Sequence, residues 1–184
     1  METTAAETGT IALLDGTEVR FRPITSSDFA ALQRFHSRLS DRSIYQRFFF
    51  PNPRLSDEQA HYFTELDGID RFALVALDPL APEEIAGVVR FDRDPGTDRA
   101  EYAAIVADRW QGHGLGLALT HRLIEAARRR GVRFLYALVL PDNARMLNLL
   151  RDLRLPERVH LEDGVARVVI GPLDDPVRAC PESG

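Results

Sequence analysis

One stretch, residues 98–130, sets most of what this chain can fold into. Residues 100–107 are a strand-like run, and Asp108, Arg109 and Trp110 turn the chain. Gln111-Gly112-His113-Gly114-Leu115-Gly116 then leads into a helical run that ends at Arg130. The order is strand, glycine-rich turn, helix. Glycine lets the backbone approach a ligand closely, because no Cβ intervenes. A helix that begins there turns unpaired N–H groups and the positive end of its dipole outward. Such a turn suits phosphate, although it also fits a plain tight turn. A nucleotide P-loop needs a lysine at its end, and all 23 basic residues of this chain are arginine. A Rossmann loop follows the first strand of its domain, whereas these glycines lie mid-chain.

The flanking pattern predicts a mixed α/β domain built around one sheet. Two short apolar runs, 10–14 and 18–23, flank Asp15-Gly16, a hairpin signal. Thr25-Ser26-Ser27-Asp28 offers N-caps for an amphipathic helix through Phe29, Leu32, Phe35 and Leu39. A second helical segment, 41–50, ends in Phe48-Phe49-Phe50 before Pro51; those rings suit a core or a wall facing substrate. Ser56 caps a third helix that runs to about Leu66. Strands over 71–78 and 84–92, joined by a turn at 79–82, lead into the central strand as an antiparallel meander. The helix after the glycines ends at Gly131, with Arg128, Arg129 and Arg130 on its negative dipole end. Residues 133–140 are almost wholly apolar, which predicts a strand buried on both faces and parallel to the central strand. A helix over 144–153 and a hairpin over 159–170 close the domain. Residues 1–9 read as a disordered leader, 10–173 as one domain and 174–184 as a flexible tail.

Composition narrows the function. The length of 184 residues suits a single domain. A formal net charge of −5 argues against nucleic acid as the main partner. No apolar run approaches the roughly 20 residues that span a bilayer. The acidic N-terminus lacks an apolar stretch, so no secretory signal is read and the expected location is cytoplasmic. The lone Cys180 excludes an internal disulfide. The five histidines are scattered, so no metal site is expected.

Gln111-x-x-Gly114-x-Gly116 between a strand and a helix resembles the diphosphate loop of the GNAT family of N-acetyltransferases. The order of elements is similar along nearly the whole chain. Closer still, Arg99-Ala100-Glu101-Tyr102-Ala103-Ala104-Ile105-Val106 resembles the catalytic strand of bacterial Pat-type protein lysine acetyltransferases. The segments 39–49, 54–56 and 161–165 resemble that group too. The resemblance implies a GNAT fold, α/β (α+β): a mixed central sheet splayed between its fourth and fifth core strands, with helices on both faces. It implies acetyl-CoA as cosubstrate, with no metal. Backbone groups of Ile105, Val106 and Ala107 would hold the pantetheine arm. The amides of Gly112, His113, Gly114, Leu115, Gly116 and Leu117 would hold the diphosphate, with the cofactor-loop residue Gln111 at the start, and Asn143 and Met146 would line the far side of the cofactor. Asn143 also reads as a helix N-cap.

Acetyl transfer to an amine needs a base, because a lysine ammonium with a pKa of about 10.4 is not a nucleophile. Glu101 is the candidate, although a strand carboxylate can equally face solvent. Many family members carry a tyrosine that protonates the leaving thiolate. Leu150 stands at that place here, so either no side-chain acid is used or another group, Tyr136 or His113, serves. The implied activity is transfer to a primary amine, foremost a protein lysine. The alternatives are a small-molecule amine acetyltransferase and an acyl-CoA-binding module without turnover. A monomer or a homodimer is expected.

Overall fold

The computed structural model describes residues 7–173. Strands β1 (Gly9–Ala12) and β2 (Glu18–Pro23) form the first hairpin. It turns at Gly16 with φ 85°, and Asp15 accepts a hydrogen bond from the Thr17 amide at 2.9 Å. Helices α1 (Phe29–Ser37), α2 (Asp41–Phe48) and α3 (Asp57–Thr64) follow. The side chains of Ser40 and Ser56 cap α2 and α3, each accepting an amide in the first turn. Then come β3 (Arg71–Asp78), β4 (Ala81–Arg93) and β5 (Arg99–Val106), an antiparallel meander. β4 begins three residues before the expected 84. Pro82 is accommodated because the register with β3 shifts there, leaving it outside the ladder. Helix α4 (Leu115–Arg129), β6 (Phe134–Val139), α5 (Ala144–Asp152), β7 (Glu157–Glu162) and β8 (Val165–Ile170) complete the chain.

One eight-stranded mixed sheet results, in the order β1-β2-β3-β4-β5-β6-β8-β7. Among the described residues its only parallel pair is β5 with β6, joined by α4. That pairing covers Arg99–Glu101 against Phe134–Tyr136 and then stops. β5 continues to Val106 while paired with β4 alone. The two parallel strands therefore part just beyond Glu101, where the splay was expected.

Two apolar layers hold the sheet. On one face Leu119, Leu123 and Leu150 of α4 and α5 pack on Leu74, Phe91, Tyr102 and Leu135. On the other, Leu32, Phe35, Ile44 and Ala60 of α1–α3 pack on Val75, Val88 and Ile105. No residue of β6, β7 or β8 belongs to the second layer. The expectation that β6 is buried on both faces therefore fails. Leu135, Ala137 and Val139 are buried, but Leu138 is 42% exposed, because α1–α3 reach only as far as β5.

Two further boundaries differ from expectation. Glu7, placed in the leader, is buried and paired with Arg129 and Arg130, and Gly9 opens β1. Residues 1–6 and the expected tail at 174–184 lie outside the described residues. Among the described residues no helix is long and apolar enough to cross a membrane.

Candidate active site

The parting of β5 from β6 opens a cavity of about 630 Å³. Ile105 and Val106 of β5, the turn residues Gln111, Gly112 and Gly114, and Leu115, Gly116 and Leu117 of α4 line it. Asn143 and Met146 line the opposite side, and Glu101 lies at the point where the strands separate. Ala107 and His113 are not on its wall. The Ala107 amide donates to Ala86 of β4 at 2.8 Å. The His113 ring packs edge-on against Trp110, and its carbonyl accepts from the Leu14 amide.

The turn has the geometry an anion needs. Gly112 and Gly114 have φ of 80° and 85°, left-handed values that a side chain resists. Gly114 is the N-cap of α4, so no side chain caps the helix, and its first turn carries no acid. The first helical hydrogen bond runs from Ala118 to the Gly114 carbonyl. The amides of Leu115, Gly116 and Leu117 are thus among the orphan donors of the helix start, with the dipole's positive end unneutralised. Gly116 is needed for a second reason. A Cβ there would stand 3.1 Å from Leu149 and 3.5 Å from Val106, inside the cavity wall.

Strand alternation aims other groups at the gap. Because the Ala107 amide points to β4, the N–H and C=O of Val106 point the opposite way, where β6 has left. The Val106 carbonyl is met by Gln111 Nε2 at 2.9 Å. That same nitrogen lies 3.0 Å from Ser43 Oγ, and Arg145 donates to Gln111 Oε1. Gln111 therefore ties β5, α2 and α5 together at the start of the loop. Asp108 reinforces the tie by accepting from the Ser40 amide and the Ser40 and Ser43 hydroxyls at 2.6–2.9 Å. Burial pushes the Asp108 carboxyl up, but these hydrogen bonds outweigh it and hold it below its ordinary value. Beneath the loop, Trp110 Nε1 donates to the fully buried Asp78 at 2.9 Å, and Arg109 pairs with the same carboxylate.

Glu101 is exposed and stands between Asp92 of β4 and Tyr136 of β6. It shares a sheet face with Ala103 and Ile105, on the side of α2. Helix α2 adds Gln46, Arg47 and Phe48 to the cavity wall, and its C-cap adds Phe49. Burial pushes the Arg47 pKa down to about 10; Arg90 acts the same way, against the fields of Glu101 and Asp92. Among the described residues no hydrogen bond or ion pair engages Arg47; its guanidinium lies 5.0 Å from the Phe48 ring. The carboxylate of Asp92 is taken by Arg90 and Arg71.

Neither residue left as a candidate thiolate acid reaches the cavity. Tyr136 donates its hydroxyl to Asp94 at 2.9 Å. Burial, that bond and the charges of Asp94 and Glu101 push its pKa up to about 12 against the pull of Arg167. Leu150 is buried in the core. Asn143 caps α5, accepting from the Met146 amide at 3.2 Å, and it also lines the cavity.

Several lining residues carried no sequence signal. Leu14 lies on the cavity wall, near the place where a Cβ on Gly114 would sit. Arg145 reaches the loop only because α5 folds back beside it. The run Phe48-Phe49-Phe50 did carry a signal: two of its residues, Phe48 and Phe49, line the cavity.

Comparison with known proteins follows the same lines. Residues 18–155 match the model of the acetyltransferase (GNAT) domain family. An acetyltransferase of Pseudomonas aeruginosa is 30% identical over 139 residues, covering 75% of each chain. The GNAT domain of S. lividans PAT superposes with a TM-score of 0.86 at 37% identity, over 92% of this chain and 99% of that one. A cAMP-binding acyltransferase of Mycobacterium smegmatis gives a TM-score of 0.64 at 25% identity; the match covers 96% of this chain and 50% of that longer one. The Salmonella typhimurium protein yncA, solved with acetyl-CoA, shares the fold at 20% identity, with a TM-score of 0.65 over 91% of this chain and all of the other.

Proposed function

This chain belongs to the GNAT acetyltransferase family, and on that footing we propose that it moves an acetyl group from acetyl-CoA to a primary amine, foremost a protein lysine, with Glu101 as general base. The observation that carries this reading is that one cavity holds both an uncapped helix start and a carboxylate. The amides from Gly112 to Leu117 would take the diphosphate, an anion favoured at such a helix start. The Val106 N–H points into the gap, where it can bind the pantetheine arm. Asn143 and Met146 close the far side. The crowding at Gly116 suits a narrow cofactor arm passing close to the backbone.

Acetyl-CoA supplies an acetyl group activated as a thioester. Glu101 accepts the proton of the incoming ammonium, directly or through a water. The free amine forms the new N–C bond as the C–S bond breaks; coenzyme A leaves as a thiolate, and the second proton of the nitrogen passes to water. Tyr136 and His113 stand off the cavity wall, so the thiolate takes its proton from solvent. A protein acceptor is favoured over a small amine because this end of the site is open. Glu101 is exposed there, and Leu138, also on the cavity wall, is 42% exposed.

The test is a thiol-release assay with acetyl-CoA over proteins, lysine peptides and small amines, for wild type and Glu101→Gln. Release with protein or peptide lysines, lost by roughly two orders of magnitude or more in the variant, supports the reading. Release with small amines alone moves the acceptor class. Acetyl-CoA binding without release on any amine leaves a binding module.

A further inference from the structure

Phe49 ends α2 in the left-handed conformation, at φ 65° and ψ 7°. Helices commonly end this way, but on glycine or asparagine. A bulky side chain there is strained. Such strain persists only where the surroundings impose it, and it gathers at functional sites.

The ring does not serve the core. Phe48 packs with His36 at 5.5 Å, Phe50 at 6.2 Å and Phe63 at 6.3 Å, and it joins the apolar layer under α1–α3. Phe49 has no aromatic partner among the described residues and belongs to neither apolar cluster. It is half-buried on the wall of the main cavity, to which Arg47 and Glu101 also contribute. The backbone turn therefore sets Phe49 on the cavity wall it shares with Arg47 and Glu101.

We propose that Phe49 is a specificity-determining residue, the apolar wall along which the methylene stem of a lysine-type acceptor lies while its amine meets Glu101. This rests on the amine acceptor assigned above and adds the requirement for a long alkyl stem. An acceptor with a shorter stem cannot cover the ring and reach the carboxylate together. Covering about two methylenes of the stem is worth roughly 10-fold in kcat/KM.

The strain makes the test clean. Phe49→Gly removes the ring at a place where glycine is conformationally favoured, and Phe49→Asn does the same with a second tolerated residue. Both variants are expected to unfold at or near the wild-type temperature and to keep the wild-type KM for acetyl-CoA. Peptides carrying lysine, ornithine or diaminobutyrate are then compared at saturating acetyl-CoA. Wild type is expected to prefer the longest stem. Both variants are expected to lose about 10-fold in kcat/KM on lysine and to discriminate little between the three. An unchanged preference in either folded variant, or an equal loss in acetyl-CoA affinity, would overturn the proposal. No release by wild type on any amine would instead remove the proposed activity, and this wall with it.

Discussion

The two ends of α4 allow the loop to be tested against its own control. Gly114 starts the helix at φ 85°, and Gly131 follows its end at φ 76°. A Cβ on Gly131 meets nothing within 4 Å. One on Gly114 comes within 3.2 Å of Leu14, a side chain that is 85% exposed and free to swing aside. Alanine at either place pays the left-handed penalty, about 1–2 kcal/mol. The reduced freedom of the unfolded chain returns about 0.4–1 kcal/mol of that. A net loss near 1 kcal/mol lowers the melting temperature of a domain this size by about 2–4 °C. The two variants should therefore be destabilised alike. They should part company in acetyl-CoA binding. If Gly114→Ala turns the loop amides away from the diphosphate, one lost charge-assisted hydrogen bond costs about 1.5–3 kcal/mol, or roughly 10- to 100-fold in Kd. Gly131→Ala should bind like wild type. Differential scanning calorimetry and isothermal titration with acetyl-CoA read both quantities. Equal affinities in the two variants, with equal stability losses, would refute the assignment of the loop.

Three other expectations follow from particular contacts. Asp108→Ala removes the carboxylate that holds Ser40 and Ser43 at the start of α2, the helix that carries Arg47 and leads into Phe49; the acceptor KM should rise several-fold more than the acetyl-CoA KM, and steady-state kinetics with each substrate varied would show it. Tyr136→Phe should keep more than half of kcat, because the hydroxyl is pinned on Asp94 away from the cavity; a tenfold loss would restore Tyr136 as an acid. Burial pushes the Asp28 carboxyl up, but the Arg22 guanidinium and the Thr25 amide outweigh it, so its folded value lies below the unfolded one of about 3.9. Its stabilisation is therefore complete above about pH 4 and fades as the pH falls through the folded value, so Asp28→Asn should flatten the acid limb of a melting-temperature profile.

The order of elements and the glycine turn before α4 were legible because each rests on local signals. Asp15-Gly16 makes a turn by itself, and residues 98–130 write strand, turn and helix in sequence. The burial of β6 was misjudged for a physical reason. An apolar run specifies what a strand can bury, and only the reach of α1–α3 decides what it does bury; Leu138 is left open by helices encoded nearly a hundred residues earlier. Gln111 was legible as a loop residue, but its ties to Ser43 and Arg145 depend on two helices brought in by the tertiary fold. The left-handed Phe49 carried no signal either, because phenylalanine is among the residues least suited to that conformation.

A crystal structure of the complex with acetyl-CoA tests the central claim most directly. Diphosphate oxygens are expected within about 2.7–3.2 Å of the amides between Gly112 and Leu117. The thioester is expected between β5 and β6, opening toward Glu101. A cofactor bound on another surface, or a thioester whose carbonyl carbon faces away from Glu101, would contradict it.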